Sequence, residues 1–528
     1  MNKAVHWADI YAERIVREKG EKDTYVCASG ITPSGTVHIG NFREIISVDL
    51  VDRALRHLGK NVRFIYSWDD FDVFRKVPAN MPDPDTLKEY LRFPITMVPD
   101  PFGNEKSYAR ANEAHLEATL AVLGIHPEYI YQADMYSAAT YADGMRRAMT
   151  RKSKIRALLD AHRSSPLPEN WDPISVFCSN CSKDTTRTNE WDGDWQVSYE
   201  CDSCGNRETL DLRTASRAKL LWRVDWPMRW AFEQVDFEPA GKEHHSAGGS
   251  FDTAKHIVKH VYDFDPPVTF KYDFITIKGM GGKISSSRGN VLSIPDVLEV
   301  YQPEMVRYLF AGTRPDTEFA ISFDLDVIKI YEDYDRCERV YFGSNEIGEK
   351  KRPKERRIYE LSQVEKVPDK MPVQIPFRHL CNLQQIHNGK IDAVLDSFEQ
   401  AEKQTLSGED RIRLTTRATC AWNWISQYAP DDFKFALKSS AEPPLEVNQA
   451  ERDVIRALAA ELDAEFEAQT EETLGSFFYT IALDNSIEPK TLYRLLYRVL
   501  IGKERGPRLA GFILTAGRER VLPILEKY

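Results

Sequence analysis

The chain has 528 residues, of which 42% are hydrophobic, and it carries a formal net charge of -11 at pH 7. This length exceeds what one hydrophobic core can organise, so the sequence predicts about three or four domains. The acidic balance excludes a surface that attracts nucleic acid over its whole area, and the lack of any run of 18 apolar residues excludes an ordinary membrane-spanning helix.

The N-terminal segment, residues 1–20, mixes both charge signs with scattered apolar residues, so it lacks the apolar core of a signal peptide. We therefore expect a cytoplasmic protein with no membrane partner and no DNA partner. RNA binding would have to be local, and two basic clusters could supply it, residues 146–156 and residues 350–357. Taken alone, each cluster is more typical of a solvated helix face or a linker.

The first predicted elements are a strand, a helix and a second strand. Residues 24–29 (TYVCAS) and residues 62–68 (VRFIYSW) indicate short buried strands. Between them, apolar residues at helical spacing predict a helix from Asn41 that ends near Gly59. Strand, helix and strand within about 45 residues form a right-handed crossover unit of a parallel sheet. Ligands of such sheets bind beyond the carboxyl ends of the strands.

The turn between the first strand and the helix, residues 30–41 (GITPSGTVHIGN), is the first candidate ligand-binding motif. It has neither the ending of a phosphate-binding Walker A loop nor the glycine spacing of a dinucleotide fingerprint. Its Gly and Pro residues allow the backbone to approach a ligand, and His38 and Asn41 lie where the amides of a helix N-terminus point at phosphate. The alternative is a tight turn with Asn41 as a capping residue.

Four closely paired cysteines follow in a segment that departs from the strand and helix pattern. Cys178/Cys181 and Cys201/Cys204 form two C-x2-C pairs with nineteen residues between them. This spacing predicts one tetrahedral zinc ion held by four thiolates, which leaves no open coordination position and is therefore structural. The alternatives are two disulfides or four ordinary thiols.

A second candidate motif lies much later in the chain. Residues 278–290 (KGMGGKISSSRGN) combine glycines, the central Lys283 and three successive serines. Flexible backbone, a point charge and hydroxyl donors suit a loop that grips phosphate. The alternative is a basic, Ser-rich surface loop.

The chain beyond about residue 340 is predicted to be helical. Apolar residues recur at helical spacing, with Gly502 as a stop after the last of them. We therefore expect an α/β domain in two halves, residues 1–80 and 216–340, separated by an inserted cysteine-bearing module at 81–215 and followed by a helical region at 341–528. The helical faces are Val454, Leu458, Leu462 and Phe466, then Leu492, Leu495, Leu496, Val499 and Leu500.

Together, the two motifs resemble the paired signatures of class I aminoacyl-tRNA synthetases. Residues 38–41 (HIGN) resemble the family's His-Ile-Gly-His signature, and residues 283–287 (KISSS) resemble its Lys-Met-Ser-Lys-Ser signature. The resemblance implies a Rossmann-like parallel-sheet catalytic domain, a zinc-binding connective module that meets the tRNA acceptor stem, and an all-α anticodon-binding region. The basic cluster at 146–156 then becomes a plausible tRNA backbone contact.

In that family, the carboxylate of the amino acid attacks the α-phosphate of ATP and pyrophosphate leaves. The resemblance implies that ATP arrives with Mg²⁺ and that His38, Asn41 and Lys283 are the catalytic residues. Two positions depart from the family pattern, because Asn41 replaces a histidine and Ser286 replaces the second lysine, so Asn41 is confined to hydrogen bonding. The implied ATP-binding residues are His38, Gly40, Asn41, Lys283, Ile284, Ser285, Ser286 and Ser287.

Four segments in combination most closely resemble class I lysyl-tRNA synthetases: GITPSGTVHIGN, WDDFD with Arg75 after it, GKEHHSAGGSFDT and KISSSRGN. The implied reaction joins lysine to ATP as lysyl-adenylate and transfers it to tRNA(Lys). Ala28 occupies a position where the related glutamyl enzymes usually carry arginine, which argues against glutamate as the substrate. The implied amino-acid-binding residues are Gly30, Thr32, Asp69, Trp222, His244 and Tyr272, with Asp69 on the α-amino group.

Each pocket residue also has a structural alternative. Trp222 could be a core aromatic, Tyr272 an ordinary strand residue, and His245 could bind in place of His244. Asp69, Asp70 and Asp72 could cap a helix or pair with Arg75.

Three alternative functions stay open at this point: a glutamyl- or glutaminyl-type synthetase, a nucleotidylyltransferase of the same fold that acts without tRNA, and a non-catalytic RNA-binding protein derived from a synthetase.

Overall fold

The structure, a computed structural model, describes residues 4–78, 81–214, 216–278 and 292–528. The chain divides into two compact units. The first comprises Met1–Val297, Pro303–Ile321 and Gly343–Val367, and the second comprises Leu298–Gln302, Ser322–Phe342 and Pro368–Tyr528. The division into four segments predicted above is finer than this and stays a prediction.

All strands of the described residues belong to the first unit. In chain order they are β1 (Tyr25–Ile31), β2 (Val62–Trp68), β3 (Glu128–Tyr131), β4 (Ile174–Val176), β5 (Thr186–Trp191), β6 (Gln196–Cys201), β7 (Arg207–Asp211), β8 (Ala218–Leu220), β9 (Ala240–Gly241), β10 (Lys271–Tyr272), β11 (Ile275–Ile277) and β12 (Phe319–Ile321).

The helices occur in both units. In chain order they are α1 (Trp7–Lys19), α2 (Ile39–His57), α3 (Pro84–Glu89), α4 (Tyr108–Val122), α5 (Gln132–Ser137), α6 (Ala142–Thr150), α7 (Lys152–Asp160), α8 (Trp222–Glu233), α9 (Ser250–Val261), α10 (Ile294–Leu298), α11 (Pro303–Ala311), α12 (Asp326–Tyr341), α13 (Arg352–Ser362), α14 (Phe377–Ile386), α15 (Ile391–Glu402), α16 (Gly408–Gln427), α17 (Gln449–Glu465), α18 (Glu471–Asp484), α19 (Pro489–Ile501), α20 (Leu509–Ala516) and α21 (Arg518–Leu525). None of these described helices is both long enough and apolar enough to cross a bilayer.

A parallel sheet forms the centre of the first unit. β1 pairs with β2 and β2 with β3, all parallel. On its other side, β1 forms a parallel bridge from Cys27 to Phe237, and Phe237 bridges in turn to Val268. β9 pairs with β10 and β11 with β12, again in parallel. The predicted α/β class with a parallel sheet is therefore confirmed.

The predicted first crossover is also confirmed, although β1 runs from Tyr25 to Ile31 and α2 begins at Ile39, two residues before the predicted Asn41. The first five residues of β1 are buried, as expected for a strand covered on both faces. α2 buries most of its length, and Gly59, with φ of +76°, continues the chain after the helix ends. Left-handed backbone of this kind favours glycine, which is why the helix stops there.

The inserted segment forms two small antiparallel sheets. β4 pairs with β8, and β5, β6 and β7 form a three-stranded sheet. Cys178 comes shortly after β4, Cys201 ends β6, and Cys204 lies in the turn before β7. This arrangement brings the two distant cysteine pairs to one place.

Within its described residues, the second unit consists of helices without strands. Its core contains both predicted helical faces, with only Phe466 among their members remaining partly exposed. Gly502 ends α19 with φ of +70°. The prediction of a helical C-terminal region is therefore confirmed.

Candidate active site

The turn that follows β1 lies beside the end of β2. Gly30 pairs in register with Ser67, and a side chain at Gly30 would place its Cβ 2.6 Å from the carbonyl oxygen of Ser67. No Cβ tolerates that approach, so glycine is required here for steric reasons. The turn and the acidic residues after β2 consequently meet at the carboxyl edge of the sheet, as predicted from the crossover.

His38 and Asn41 begin α2 as a reciprocal pair of caps. The Nδ1 atom of His38 accepts hydrogen bonds from the amides of Gly40, at 3.1 Å, and Asn41, at 3.3 Å. The side-chain oxygen of Asn41 accepts one from the amide of His38 at 3.4 Å. The N-cap of α2 is therefore His38. The alternative prediction, in which Asn41 is the capping residue, is wrong.

This capping arrangement decides which atoms can meet a ligand. Because Nδ1 of His38 accepts two hydrogen bonds, the neutral ring carries its proton on Nε2. The amides of Gly40 and Asn41 face the ring instead of a phosphate, so the expectation that they point freely at a ligand does not hold. His38 and Asn41 both line the cleft beside this turn, so their side chains stay the candidates for a ligand contact.

The chain on the far side of the second motif returns to this same turn. The amide of Ile39 donates to the carbonyl of Leu292 at 3.0 Å, and His38 forms an antiparallel bridge with Ser293. Leu292 is the first described residue after the motif. Five predicted ATP-binding residues lie outside the described residues: Lys283, Ile284, Ser285, Ser286 and Ser287.

A cleft of about 800 Å³ opens over the edge of the sheet. Its wall includes Phe274 and Ile275, at the start of the strand that leads to the second motif. His38 is largely buried, with 8% of its surface exposed, yet it reaches this cleft. The predicted site residues on the wall are Thr32, His38, Gly40, Asn41, Trp222, His244 and Tyr272.

A smaller pocket of about 240 Å³ shares part of that wall. Both spaces are lined by Thr32, Asn41, Trp222, His244 and Tyr272, so the two lie side by side. All six predicted amino-acid-binding residues line the smaller pocket: Gly30, Thr32, Asp69, Trp222, His244 and Tyr272. Residues from five separate stretches of the chain therefore meet around one space of amino-acid size.

Glu44 also lines this pocket and was missed by sequence reasoning. Its carboxylate accepts hydrogen bonds from the Tyr272 hydroxyl at 2.6 Å and the Ser29 hydroxyl at 2.8 Å. Burial raises the pKa of Glu44, although these hydrogen bonds act in the opposite direction. Glu44 stands three residues after Asn41 in α2, so helical spacing would have placed both on one face.

The three aspartates after β2 have different partners. Asp69, which lines the pocket, accepts a hydrogen bond from Arg229 at 2.7 Å. Asp70 accepts one from the Ala133 amide at 2.8 Å, and burial raises the pKa of Asp70 to about 7. Asp72 forms an ion pair with Lys219 at 2.5 Å, so the predicted alternative of a pair with Arg75 is wrong for Asp72. The sequence did not indicate Arg229 and Lys219 as the partners of these aspartates, because each lies more than a hundred residues from the aspartate that it contacts.

The aromatic residues of the pocket belong to one cluster. Trp222, the first residue of α8, stacks on Trp226 with ring centroids 5.2 Å apart and lies 6.0 Å from the ring of His244. His244 bonds to the Ser250 hydroxyl at 2.6 Å and lines the pocket. The ring of His245 stacks instead on Phe251 at 4.5 Å. This placement favours His244 over His245 as the pocket residue.

The four cysteines form a compact cluster on the inserted module. Their sulfur atoms all lie within 4.8 Å of one another, and the pairs Cys178/Cys204 and Cys181/Cys201 are each separated by 3.6 Å. Tetrahedral zinc with Zn–S bonds of 2.3 Å requires sulfurs roughly 3.8 Å apart. All four are free thiols, which rules out the disulfide alternative in this structure. The donor set fits a structural zinc ion.

The basic cluster at 146–156 is largely neutralised by other parts of the first unit. Arg147 forms an ion pair with Asp263, and Arg151 donates to the Val261 carbonyl at 3.1 Å. Lys152 pairs with Asp172 at 2.8 Å. Acidic residues that are distant in the sequence thus compensate this charge, which weakens the cluster as a tRNA contact.

The chain resembles known proteins over its whole length. Residues 5–365 match the family described as tRNA synthetases class I (K). A Lysine--tRNA ligase from Borreliella burgdorferi is 52% identical over 100% of both chains. Proteins of the same name are 51% identical in Treponema pallidum, over 100% of this chain and 99% of the relative, and 41% identical in Thermococcus kodakarensis, over 99% of each.

Proposed function

Since the chain belongs to the family of class I tRNA synthetases of the lysine type, we propose that it activates lysine with ATP and transfers it to tRNA(Lys). The observation that carries this proposal is the acidic pocket of amino-acid size that shares part of its wall with the cleft beside His38. The alternative of a nucleotidylyltransferase without tRNA does not account for similarity to lysine ligases over the whole chain.

The pocket chemistry supports lysine against glutamate. Glu44 places a carboxylate, held by Tyr272 and Ser29, where a side-chain ammonium can pair with it. A glutamate side chain would meet that carboxylate as a like charge, which is costly in a partly buried site. We propose that Glu44 and Tyr272 bind the ε-ammonium, that Asp69 binds the α-amino group, and that Trp222 covers the methylenes.

At the other end of the site, we propose that His38 and Asn41 bind the triphosphate of ATP. Both offer neutral N–H donors to oxygens whose charge grows as the lysine carboxylate attacks the α-phosphate and pyrophosphate leaves. Lys283 and the serines at 285–287 would add a cation and hydroxyl donors. Mg²⁺ would accompany ATP and neutralise its phosphates. A hydroxyl of the terminal tRNA ribose then attacks the adenylate carbonyl, and AMP leaves.

The helical second unit offers a groove for unpaired nucleotides. It measures about 760 Å³ and combines Phe433, Phe435 and Phe512 with five cations, Arg378, Lys434, Lys503, Arg505 and Arg508. Aromatic faces and guanidinium groups bind unstacked bases and phosphates. The predicted anticodon-binding role of this region stays a prediction, which footprinting of bound tRNA would test.

We also propose that the protein is cytoplasmic, which cell fractionation would test.

The proposal is tested by charging purified tRNA with each of the twenty amino acids. We expect stable incorporation of lysine alone, in assays with ATP and Mg²⁺, and incorporation of glutamate or glutamine in its place would contradict the proposal. Pyrophosphate exchange should be run with and without tRNA, so that a requirement for tRNA in activation is not read as inactivity.

The second motif is tested in the same assay. We expect Lys283→Ala to charge tRNA at least roughly tenfold more slowly, because a cation that meets the β- and γ-phosphates is lost. Its melting temperature should match the wild type. Full activity of this variant would mean that the Ser-rich segment does not bind the triphosphate.

We further propose that the cysteine cluster holds zinc. Metal analysis of the purified protein should find about one zinc per chain. Cys181→Ala should lose the metal and lower the melting temperature, because three ligands leave the site incomplete. Cys381→Ala, at a buried thiol of the second unit, is the control and should retain the zinc. Equal zinc content in both variants would contradict the assignment.

A further inference from the structure

A buried lysine connects the cysteine-bearing module to the substrate turn. Lys219 lies in β8, where it pairs in register with Ser175 of β4, and only 7% of its surface is exposed. β4 leads directly to the first cysteine of the cluster, and the amide of Phe177 donates to the Arg217 carbonyl at 2.9 Å. The strand pair that carries Lys219 is therefore the base of the metal-binding module.

From this base, two polar contacts lead to the amino-acid pocket. The ammonium of Lys219 donates to Oδ1 of Asp72 at 2.5 Å and to the Phe71 carbonyl at 3.3 Å. The other oxygen of Asp72, Oδ2, accepts a hydrogen bond from the Thr32 hydroxyl at 2.7 Å. Thr32 lines both the pocket and the cleft. One carboxylate thus joins a strand of the module to the turn that holds the substrate.

The opposite charges of Lys219 and Asp72 stabilise each other. Burial opposes the charge on Lys219, but Asp72 and Asp225 outweigh it, so the pKa of Lys219 lies above its ordinary value. Burial likewise opposes the charge on Asp72, and Lys219 with the Thr32 hydroxyl brings the pKa of Asp72 below its ordinary value. Both groups are therefore charged at neutral pH, and removal of either leaves the other without its main partner.

We propose that Lys219 is a positioning residue for lysine binding, which acts through Asp72 to hold Thr32 and the turn after β1 in the binding geometry. This inference rests on the proposed function, because it assumes that the pocket binds lysine. Lys219 lines the cleft but not the amino-acid pocket, so its effect on lysine binding would act through Asp72 and Thr32. Displacement of a binding group by about 1 Å is enough to cost a large factor in activity, so a positioning contact of this kind has a measurable effect.

The test is the Lys219→Met variant, assayed for tRNA charging at varied lysine and varied ATP. We expect the KM for lysine to rise roughly tenfold while the KM for ATP changes by less than about twofold. Lys219→Arg keeps a cation beside Asp72 and should restore part of the loss, although arginine does not reproduce the point charge of lysine. Zinc content should be unchanged in both variants.

A matched control separates positioning from general stability. Lys22 forms a similar ion pair with Asp236, at 2.8 Å, and that carboxylate also accepts from the amide of Val26 near the amino end of β1. Lys22→Met should therefore lower the melting temperature without changing the KM for lysine. The double variant Lys219→Met/Thr32→Val should lose little more than the worse single variant, because both act through the same contacts.

Three results would overturn the inference. They are an unchanged KM for lysine in Lys219→Met, an equal rise in the Lys22→Met control, and fully additive losses in the double variant. If Lys219→Met does not fold, Asp72→Asn keeps the side-chain shape and makes the same test from the other end. Failure of the wild type to charge tRNA with lysine would instead contradict the proposed function.

Discussion

Replacing His38 by alanine is expected to lower kcat for lysine activation by about 100- to 1000-fold, which is the usual loss when one preorganised donor to a developing charge is removed. In the structure, the Nδ1 atom of His38 is occupied by the amides of Gly40 and Asn41. These two hydrogen bonds fix the orientation of the imidazole at the wall of the cleft before charge develops on the phosphates.

His38 also caps α2, so the alanine variant mixes two effects. Loss of a cap costs about 1 kcal/mol of stability. Asparagine is a good capping residue, and His38→Asn should therefore recover most of the stability while it still lacks the imidazole. We expect both variants to show the same large loss of kcat, but only His38→Ala to show a clearly lower free energy of unfolding.

The measurement is pyrophosphate exchange in the presence of tRNA, combined with chemical denaturation. If His38→Asn regained activity together with stability, the role of His38 would be confined to the cap. If both variants kept the wild-type kcat, the proposed contact with the triphosphate would be wrong.

The second large effect is expected for Glu44→Gln, which should raise the KM for lysine by at least roughly 30-fold. Truncating one partner of a desolvated, hydrogen-bonded charge pair typically costs about 2–5 kcal/mol, and 2 kcal/mol corresponds to roughly 30-fold in affinity. Glutamine keeps the size of the side chain and can still accept from Tyr272. The loss would therefore report the missing negative charge.

The pH dependence of lysine binding is expected to follow the protonation of Glu44. Because burial raises the pKa of Glu44, its carboxylate becomes protonated at a higher pH than an ordinary glutamate. Lysine affinity should fall as the pH is lowered through that raised value, and the fall should disappear in Glu44→Gln. In the protein without lysine, the effect of Glu44 on the free energy of unfolding has the opposite pH dependence. A raised pKa means that protonation favours the folded state, so the contribution of Glu44 to stability is full at low pH and is lost as the pH rises.

Glu113→Gln is a suitable control for Glu44→Gln. Glu113 is another buried carboxylate, and burial raises its pKa to about 7, but it lies outside the pocket wall. We expect its KM for lysine to match the wild type. Calorimetric binding of lysine would serve as an independent measurement. An unchanged affinity in Glu44→Gln would assign the ε-ammonium to a different acidic group.

Much of the site could be predicted from local pattern. The strand at the start of the crossover, the turn at 30–41 and the helix that follows are each indicated by residue spacing and turn chemistry within their own segments. The cysteine pairs were equally informative, because two C-x2-C pairs at this separation have the spacing of a four-thiolate zinc site whatever the fold around them. The structure confirms the crossover and brings the four sulfurs together.

The partners of the charged groups could not be predicted in this way. Asp69 meets Arg229 and Asp72 meets Lys219 across more than a hundred residues of chain, and the clustered cations near residue 147 are compensated by Asp263. Charge carries no sequence period, so nothing in the local pattern distinguishes these partners from other acids and bases.

Spacing along the chain was therefore enough to identify the turn and the four cysteines that come together, and it predicted the start of α2 to within two residues. Which carboxylates line the pocket could not be predicted from spacing. Glu44 lines the amino-acid pocket, whereas Asp72 is held by Lys219, because packing of separate segments sets the distances and the burial on which an ion pair depends.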